Sequence, residues 1–265
     1  MTETAAPAVL TELRDHVLLV TLNRPEARNA VNAELTQGLG DALERADADA
    51  DIRVVVLTGS GDKSFCAGAD LRAISRGESL NPPGTEKWGF AGFVNHPISK
   101  PVIAAVNATA LGGGTELVLG CDLAVAAESA KFGLPEVRRG LMAAAGGLIR
   151  LPVQLPRKVA MRMILTGEPI DAESALSWGL VNEVVPDGRV LDAALDLAEV
   201  VAANAPLAVQ ASKRIALAMK DGDLPGEREA WQSNNEEMVA LMSSEDAIEG
   251  PTAFAEKRTP VWKAR

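Results

Sequence analysis

The chain of 265 residues contains no tyrosine, only 3% aromatic side chains, two cysteines and two histidines. A core must therefore be built almost entirely from aliphatic side chains. Cys66 and Cys121 lie far apart and form no CxxC pair. With only His16 and His96 beside them, no metal-ligand constellation is visible. Isolated cysteines of this kind suit a reducing cytosol. No apolar run reaches the ~20 residues needed to span a bilayer. The stretch Met1 to Val9 carries Glu3 and Pro7 in place of a charged-then-apolar signal region. A cytoplasmic location without a membrane partner is the expectation. Positive charge is also short: Asp and Glu outnumber Lys and Arg to a formal net charge of −10. That balance speaks against a nucleic-acid surface, which needs clustered cations to displace phosphate counterions. Phosphate-cradling loops are missing as well, since neither G-x-x-x-x-G-K-[ST] nor G-x-G-x-x-G occurs.

Against these absences, hydrophobic residues make up 47% and charged residues 23% of the chain, an ordinary globular balance. Short β-branched or small apolar runs at Val17 to Leu22, Asp51 to Gly59, Pro101 to Asn107 and Asp122 to Ala126 read as strands. Between the first two, Leu35, Leu39, Ala42, Leu43 and Ala46 recur at helical spacing. This rhythm predicts an α/β fold with a largely parallel sheet, whose ligands sit where strands end and helices begin. After residue 140 helices dominate: Arg157 to Thr166, Asp171 to Trp178, Val190 to Asn204, Leu207 to Lys220, Glu227 to Met242 and Ser244 to Ala255. We expect an α/β catalytic core over 1–200 and a helical C-terminal section over 201–265. Ser75 to Asn95 reads as a mobile loop around a short helix.

Three segments carry chemistry. Leu111-Gly112-Gly113-Gly114-Thr115-Glu116 follows a strand and opens an apolar helix. Bare backbone N–H groups at a helix start offer a site for an anion or a polarised carbonyl oxygen. Glu116, three residues beyond Gly113, shares its helix face. A carboxylate there would repel phosphate but could move a proton beside a carbonyl. Cys66-Ala67-Gly68-Ala69-Asp70-Leu71 is a second small-residue turn after a strand, in which Asp70 reads as a helix cap. In the third, Phe132-Gly133-Leu134-Pro135-Glu136, Pro135 fixes the backbone before a lone acid that on its own reads as a first-turn residue.

Taken together, C-A-G-A-D, A-L-G-G-G-T-E, C-D-L-A and F-G-L-P-E resemble the crotonase superfamily, the enoyl-CoA hydratases and isomerases, in order and spacing. Asn23 to Ala30 and Phe254 to Pro260 share the likeness, which covers about residues 10–262. The resemblance implies a ββα spiral core whose helical C-terminal section forms trimers, often paired into hexamers. It implies an acyl-CoA thioester as the partner, coenzyme A being part of the substrate and no separate cofactor or metal being needed. It places an oxyanion hole at the Ala69 and Gly113 N–H groups. Glu116 and Glu136 become the catalytic pair of an enoyl-CoA hydratase, a lyase of fatty acid and lipid metabolism. Glu116 would activate water and Glu136 would supply the C2 proton. Arg28, Ala67, Gly68, Asp70, Leu71 and Gly112 would hold the substrate.

The same resemblance leaves room for an enoyl-CoA isomerase or a carnitinyl-CoA-type dehydratase. A non-catalytic or RNA-binding member has the negative charge and the retained glutamates against it. The run Leu141 to Gly147, in which many relatives have a proline before the Gly-Gly pair, is expected to border the acyl chain. Trp88, Phe90 and Phe93 either line that chain's tunnel or form a satellite hydrophobic cluster. His96 reads as a loop residue and Trp178 as a packing residue.

Overall fold

A computed structural model of the chain describes residues 6–265. In chain order, β1 (Val9–Arg14) and β2 (Val17–Leu22) form a hairpin, followed by α1 (Ala33–Ala48), β3 (Val54–Gly59), β4 (Ser64–Cys66) and α2 (Leu71–Ser75). Then come β5 (Val102–Val106), β6 (Thr109–Leu111), α3 (Gly113–Gly120), β7 (Leu123–Ala127) and β8 (Lys131–Gly133). The remainder is α4 (Gly147–Gln154), α5 (Arg157–Thr166), β9 (Ile170–Asp171), α6 (Ala172–Ser177), β10 (Glu183–Val185), α7 (Val190–Ala202), α8 (Pro206–Ala216), α9 (Arg228–Met242) and α10 (Glu245–Ala255).

Strands β1, β2, β3, β5, β7 and β10 form one sheet in that order, antiparallel at β1–β2 and parallel elsewhere. Every residue of β3 and β5 is buried. That is why these strands read as unbroken apolar runs, since a parallel strand covered on both faces has no polar side to show. Helix α7 packs across β3, β5 and β7, and α1 packs on β1, β2 and the single-turn helix Phe90–Gly92. Edge strand β1 is largely exposed, so its apolar pattern is diluted by Thr11, Glu12 and Arg14 and gave no strand signal.

The second sheet decides where the site lies. Its order is β4-β6-β8-β9, and β4, β6 and β8 run parallel. Each of the three has only three residues, too short for a period to be read, and each is embedded in one of the sequence motifs. Cys66 pairs with Ala110, and Leu111 with Gly133, so the C-terminal ends of three parallel strands lie side by side. The chain leaving those ends is Ala67 to Leu71, Gly112 to Glu116 and Leu134 to Glu136. Segments up to 70 residues apart are thereby delivered to one sheet edge, where parallel sheets place their ligands.

The 75–95 stretch differs in part from expectation: α2 precedes it, and the turns Glu86–Trp88 and Phe90–Gly92 order its second half. Trp88 is buried, packs where a side chain on Gly40 of α1 would have to go, stacks on the His96 ring at 4.9 Å and donates its indole N–H to Glu44 at 3.2 Å. Trp88 therefore belongs to a packing cluster against α1, and His96 with it. Trp178 is half-buried against the core, as expected of a packing residue. Among the described residues no helix is long and apolar enough to cross a membrane.

Candidate functional site

The glycine turn needs its glycines for three different reasons. Gly112 has φ +55°, in the left-handed region that favours glycine, and a Cβ there would lie 2.7 Å from Glu136 Oε1. A Cβ on Gly113 would run into the Phe90 ring and sit 3.2 Å from Gly68 Cα. One on Gly114 would collide with the Cys66 carbonyl. The turn is thus squeezed between β4, Phe90 and Glu136, and the two small-residue motifs touch: a Cβ on Gly68 would be 3.0 Å from the Gly113 nitrogen.

Thr115 holds the strand ends together. Its buried hydroxyl lies 2.8 Å from the Ala110 carbonyl and 2.9 Å from that of Gly133, and it accepts from the Gly133 N–H at 3.0 Å. The Gly112 N–H donates to Gly133 O at 2.8 Å. On the other side, Val31 is stitched to the second motif: its N–H donates to Gly68 O at 2.8 Å and its carbonyl accepts from Asp70 at 2.9 Å. That pattern leaves the Ala69 N–H between them without a protein acceptor among the described residues, and the Gly113 N–H, first in α3, is equally unengaged.

Asp70 caps α2, accepting from the Arg72 and Ala73 N–H groups at 3.0 and 3.1 Å, and pairs with Arg24 at 2.9 Å. Burial works to raise its pKa, but the Ala73 N–H, the Arg24 guanidinium and the Arg72 N–H outweigh it and hold the carboxyl below its usual range. Its polar valences are thus spent on the fold, which fits the cap reading. Cys66 is buried, and burial pushes its thiol up to about 12, so it is no nucleophile at neutral pH. Leu71 is 42% exposed at the start of α2. Arg28 is exposed and left-handed at φ 55°, and its carbonyl accepts from the Ala67 N–H at 3.1 Å. It borders a cleft of about 260 Å³ in which the cations Arg28 and Lys63 are accompanied by the acids Glu26 and Asp62.

Glu116 and Glu136 are the two carboxylates of the site. Glu116, in the first turn of α3, is 3% exposed, and its Oε1 accepts from the Gly147 N–H at 2.8 Å. Burial raises its pKa to about 8, helped by the charge of Glu136 and opposed by the Gly147 and Ala145 N–H groups and by Arg150. Glu136 follows Pro135 in a single helical turn, and its buried Oε2 has no hydrogen-bond partner. Burial raises it to about 7. An unpartnered, buried, titratable oxygen beside a second raised carboxyl is the arrangement proton transfer at neutral pH requires.

Some contributors had no sequence signal. The Ala145 and Gly147 N–H groups, which face Glu116, come from the stretch expected beside the acyl chain, and nothing in the sequence tied it to a carboxylate. Phe90 sits against Gly113 at the start of α3, whereas Phe93 packs against Gly120 at its C-terminal end. There it lines a separate cavity of about 1270 Å³ between α3–α4 and α8–α9 that neither glutamate reaches. Both phenylalanines are thus parted from Trp88. Among the described residues no group of three or more His, Cys, Asp or Glu side chains is placed to hold a metal ion.

Residues 12–265 match the family model described as enoyl-CoA hydratase/isomerase. The chain is 43% identical over 254 residues to a carnitinyl-CoA dehydratase of Salmonella agona, covering 94% of this chain and 95% of that protein. It is 42% identical over 269 residues to enoyl-CoA hydratase EchA19 of Mycobacterium tuberculosis, covering 98% of each. The crystal structure of a carnitinyl-CoA hydratase from Mycobacterium avium superposes with a TM-score of 0.97 at 59% identity, covering 98% of this chain and 100% of that one.

Proposed function

We propose, from the premise that the chain belongs to the enoyl-CoA hydratase/isomerase family, that it adds water reversibly across the 2,3 double bond of a 2-enoyl-CoA thioester to give a 3-hydroxyacyl-CoA. The observation that carries this reading is the pair of raised, buried carboxyls, Glu116 and Glu136, beside two unengaged backbone N–H groups.

The chemistry follows from the parts. The thioester carbonyl lies between the Ala69 and Gly113 N–H groups, which act as an oxyanion hole. Polarising that carbonyl makes C3 electrophilic and lets enolate charge collect on oxygen. Glu116 takes a proton from the water attacking C3, and Glu136 delivers one to C2. Water's oxygen forms the new bond to C3, and the π electrons pass through the enolate into the new C2–H bond. The pair must therefore hold one proton, and reversing the roles gives dehydration. An isomerase would instead move a proton from C2 to C4 without water. Coenzyme A lies along Ala67 to Leu71 and Gly112, with its phosphates toward Arg28, so coenzyme A is part of the substrate and no further cofactor takes part.

With both carboxyls raised, activity should follow a bell against pH. Its acid limb is expected near about 7 and its alkaline limb near about 8, because only the singly protonated pair turns over. A profile with its acid limb at the ordinary carboxylate value would contradict this.

A second reading within the family is dehydration of a carnitinyl-CoA-type thioester, favoured by relatives of that name. Assaying crotonyl-CoA, longer and branched 2-enoyl-CoAs, a 3-enoyl-CoA and carnitinyl-CoA side by side, with products identified by mass, tests both. Loss of the 2-enoyl group with a gain of one water supports hydration. Folded protein that acts on none of the 2-enoyl-CoAs sinks it, and turnover of carnitinyl-CoA alone selects the second reading.

The region 201–265 is assigned to trimer assembly, with trimers pairing into hexamers, in cytoplasmic lipid metabolism. Leu207, Ile215, Val239, Ile248 and Phe254 on α8 to α10 are each at least 50% exposed, an unusual concentration of apolar surface.

A further inference from the structure

We propose that Asn234, on α9, is a positioning residue for the reaction: it holds the 143–147 turn so that the turn's N–H groups stay aimed at the Glu116 carboxylate. The inference rests on the role given to Glu116 above.

Of the fifteen residues of α9, Asn234 alone is buried. At 7% exposure the position would ordinarily be filled by an aliphatic side chain, yet an amide occupies it. The Asn234 Nδ2 donates to the Ala144 carbonyl at 3.0 Å, across 90 residues of sequence. Its Oδ1 is buried with no hydrogen-bond partner. A leucine would avoid that unpaired oxygen, so stability alone does not account for asparagine here.

What the amide holds is the support of Glu116. Directly after Ala144 come the Ala145 and Gly147 N–H groups that favour the ionised carboxyl, the latter donating at 2.8 Å. Gly146 lies between them at φ +102°, so this turn has little intrinsic reason to keep its shape. Helix α9 braces it a second time: a Cβ on Gly146 would be 3.4 Å from the Trp231 ring. Trp231, one helical turn before Asn234, donates its indole N–H to Glu227 at 3.0 Å, and Glu227 pairs with Arg150 of α4 at 2.8 Å. The ionisable groups acting on Glu116 are Glu136 and Arg150, and among the described residues neither is hydrogen-bonded to Asn234, whose one side-chain bond goes to Ala144. Asn234 thus acts on Glu116 only through the backbone it holds.

The test is kcat and KM for a 2-enoyl-CoA across pH in wild type, Asn234→Ala, Asn234→Leu and Glu116→Gln. Both Asn234 variants should lose about tenfold to a hundredfold in kcat, the scale of a small misplacement of a catalytic group. KM should change less than about twofold, because the substrate's own contacts are untouched. The alkaline limb of the profile, which the raised Glu116 carboxyl sets, should move to higher pH, since a carboxylate deprived of N–H donors is harder to ionise. Asn234→Leu fills the space without a buried unpaired amide, so it keeps the test open if the alanine variant fails to fold. An unmoved alkaline limb in a folded Asn234 variant, with Glu116→Gln inactive, overturns this inference and leaves the hydratase reading standing. Full turnover by Glu116→Gln would instead overturn that reading and this inference with it.

Discussion

Glu116→Gln should lose most of its turnover, by about 10²–10⁴-fold, while becoming more stable than wild type in mildly alkaline solution. The first half follows from removing the group proposed to take water's proton. Glutamine keeps an oxygen for the Gly147 N–H but can carry no proton away. Binding of a CoA ester should survive, because the backbone contacts that hold it are unchanged. The second half follows from burial. The Glu116 carboxyl rises from an ordinary 4.5 to about 8 in the folded protein, so the fold disfavours its ionised form. Its contribution to stability is intact below the unfolded value, falls as pH rises through the folded value, and is wholly lost beyond that. The loss is on the order of several kcal/mol. Glutamine does not titrate and escapes it. Glu136, raised from 4.5 to about 7, should behave alike but less strongly. Thermal melts at pH 5 and pH 9 beside initial rates check both halves. A Glu116→Gln protein whose stability falls with pH as steeply as wild type, or one that turns over fully, contradicts the assignment.

Gly113→Ala is the second large effect. A methyl group there would meet the Phe90 ring and the Gly68 backbone at once. Helical propensity favours alanine over glycine at this position, so the expected damage comes from geometry alone. Displacing the Gly113 N–H removes one donor from the developing oxyanion, worth about 10²–10³ in kcat. The double variant Gly113→Ala, Phe90→Ala distinguishes the two obstacles. Removing the ring frees one side of the methyl, and activity should recover in part while Gly68 still limits the approach. A Gly113→Ala enzyme with wild-type kcat would show that this N–H does not carry the oxyanion.

The long strands were legible because burial on both faces leaves continuous apolar runs, as in Val54 to Leu57 and Val102 to Val106. The three-residue strands β4, β6 and β8 were not, since three residues carry no period. Their pairing is nevertheless what turns three separate motifs into one site. Composition could place Glu116 in the first turn of a helix and Glu136 after a proline. Only the ordered likeness to a known family suggested that they act together, and the strand register supplies the physical reason that they can. Asn234 and the Glu227–Arg150 pair left no trace, because a polar residue on a mostly exposed helix looks like surface until the fold buries it. The division of the aromatics followed the same logic: nothing in the spacing of Trp88, Phe90 and Phe93 says that they face α1, the glycine turn and the C-terminal end of α3 respectively.

On the proposed mechanism, Glu116 and Glu136 together add water across a double bond held by the glycine turn. Incubation of crotonyl-CoA with the pure enzyme in heavy-oxygen water, followed by mass analysis of the thioester product, measures it directly. The expected product is 3-hydroxybutyryl-CoA bearing one heavy oxygen at C3, formed by wild type and not by Glu116→Gln or Glu136→Gln. A folded wild-type protein that leaves every 2-enoyl-CoA unlabelled, or forms the labelled product equally well without either glutamate, would contradict it.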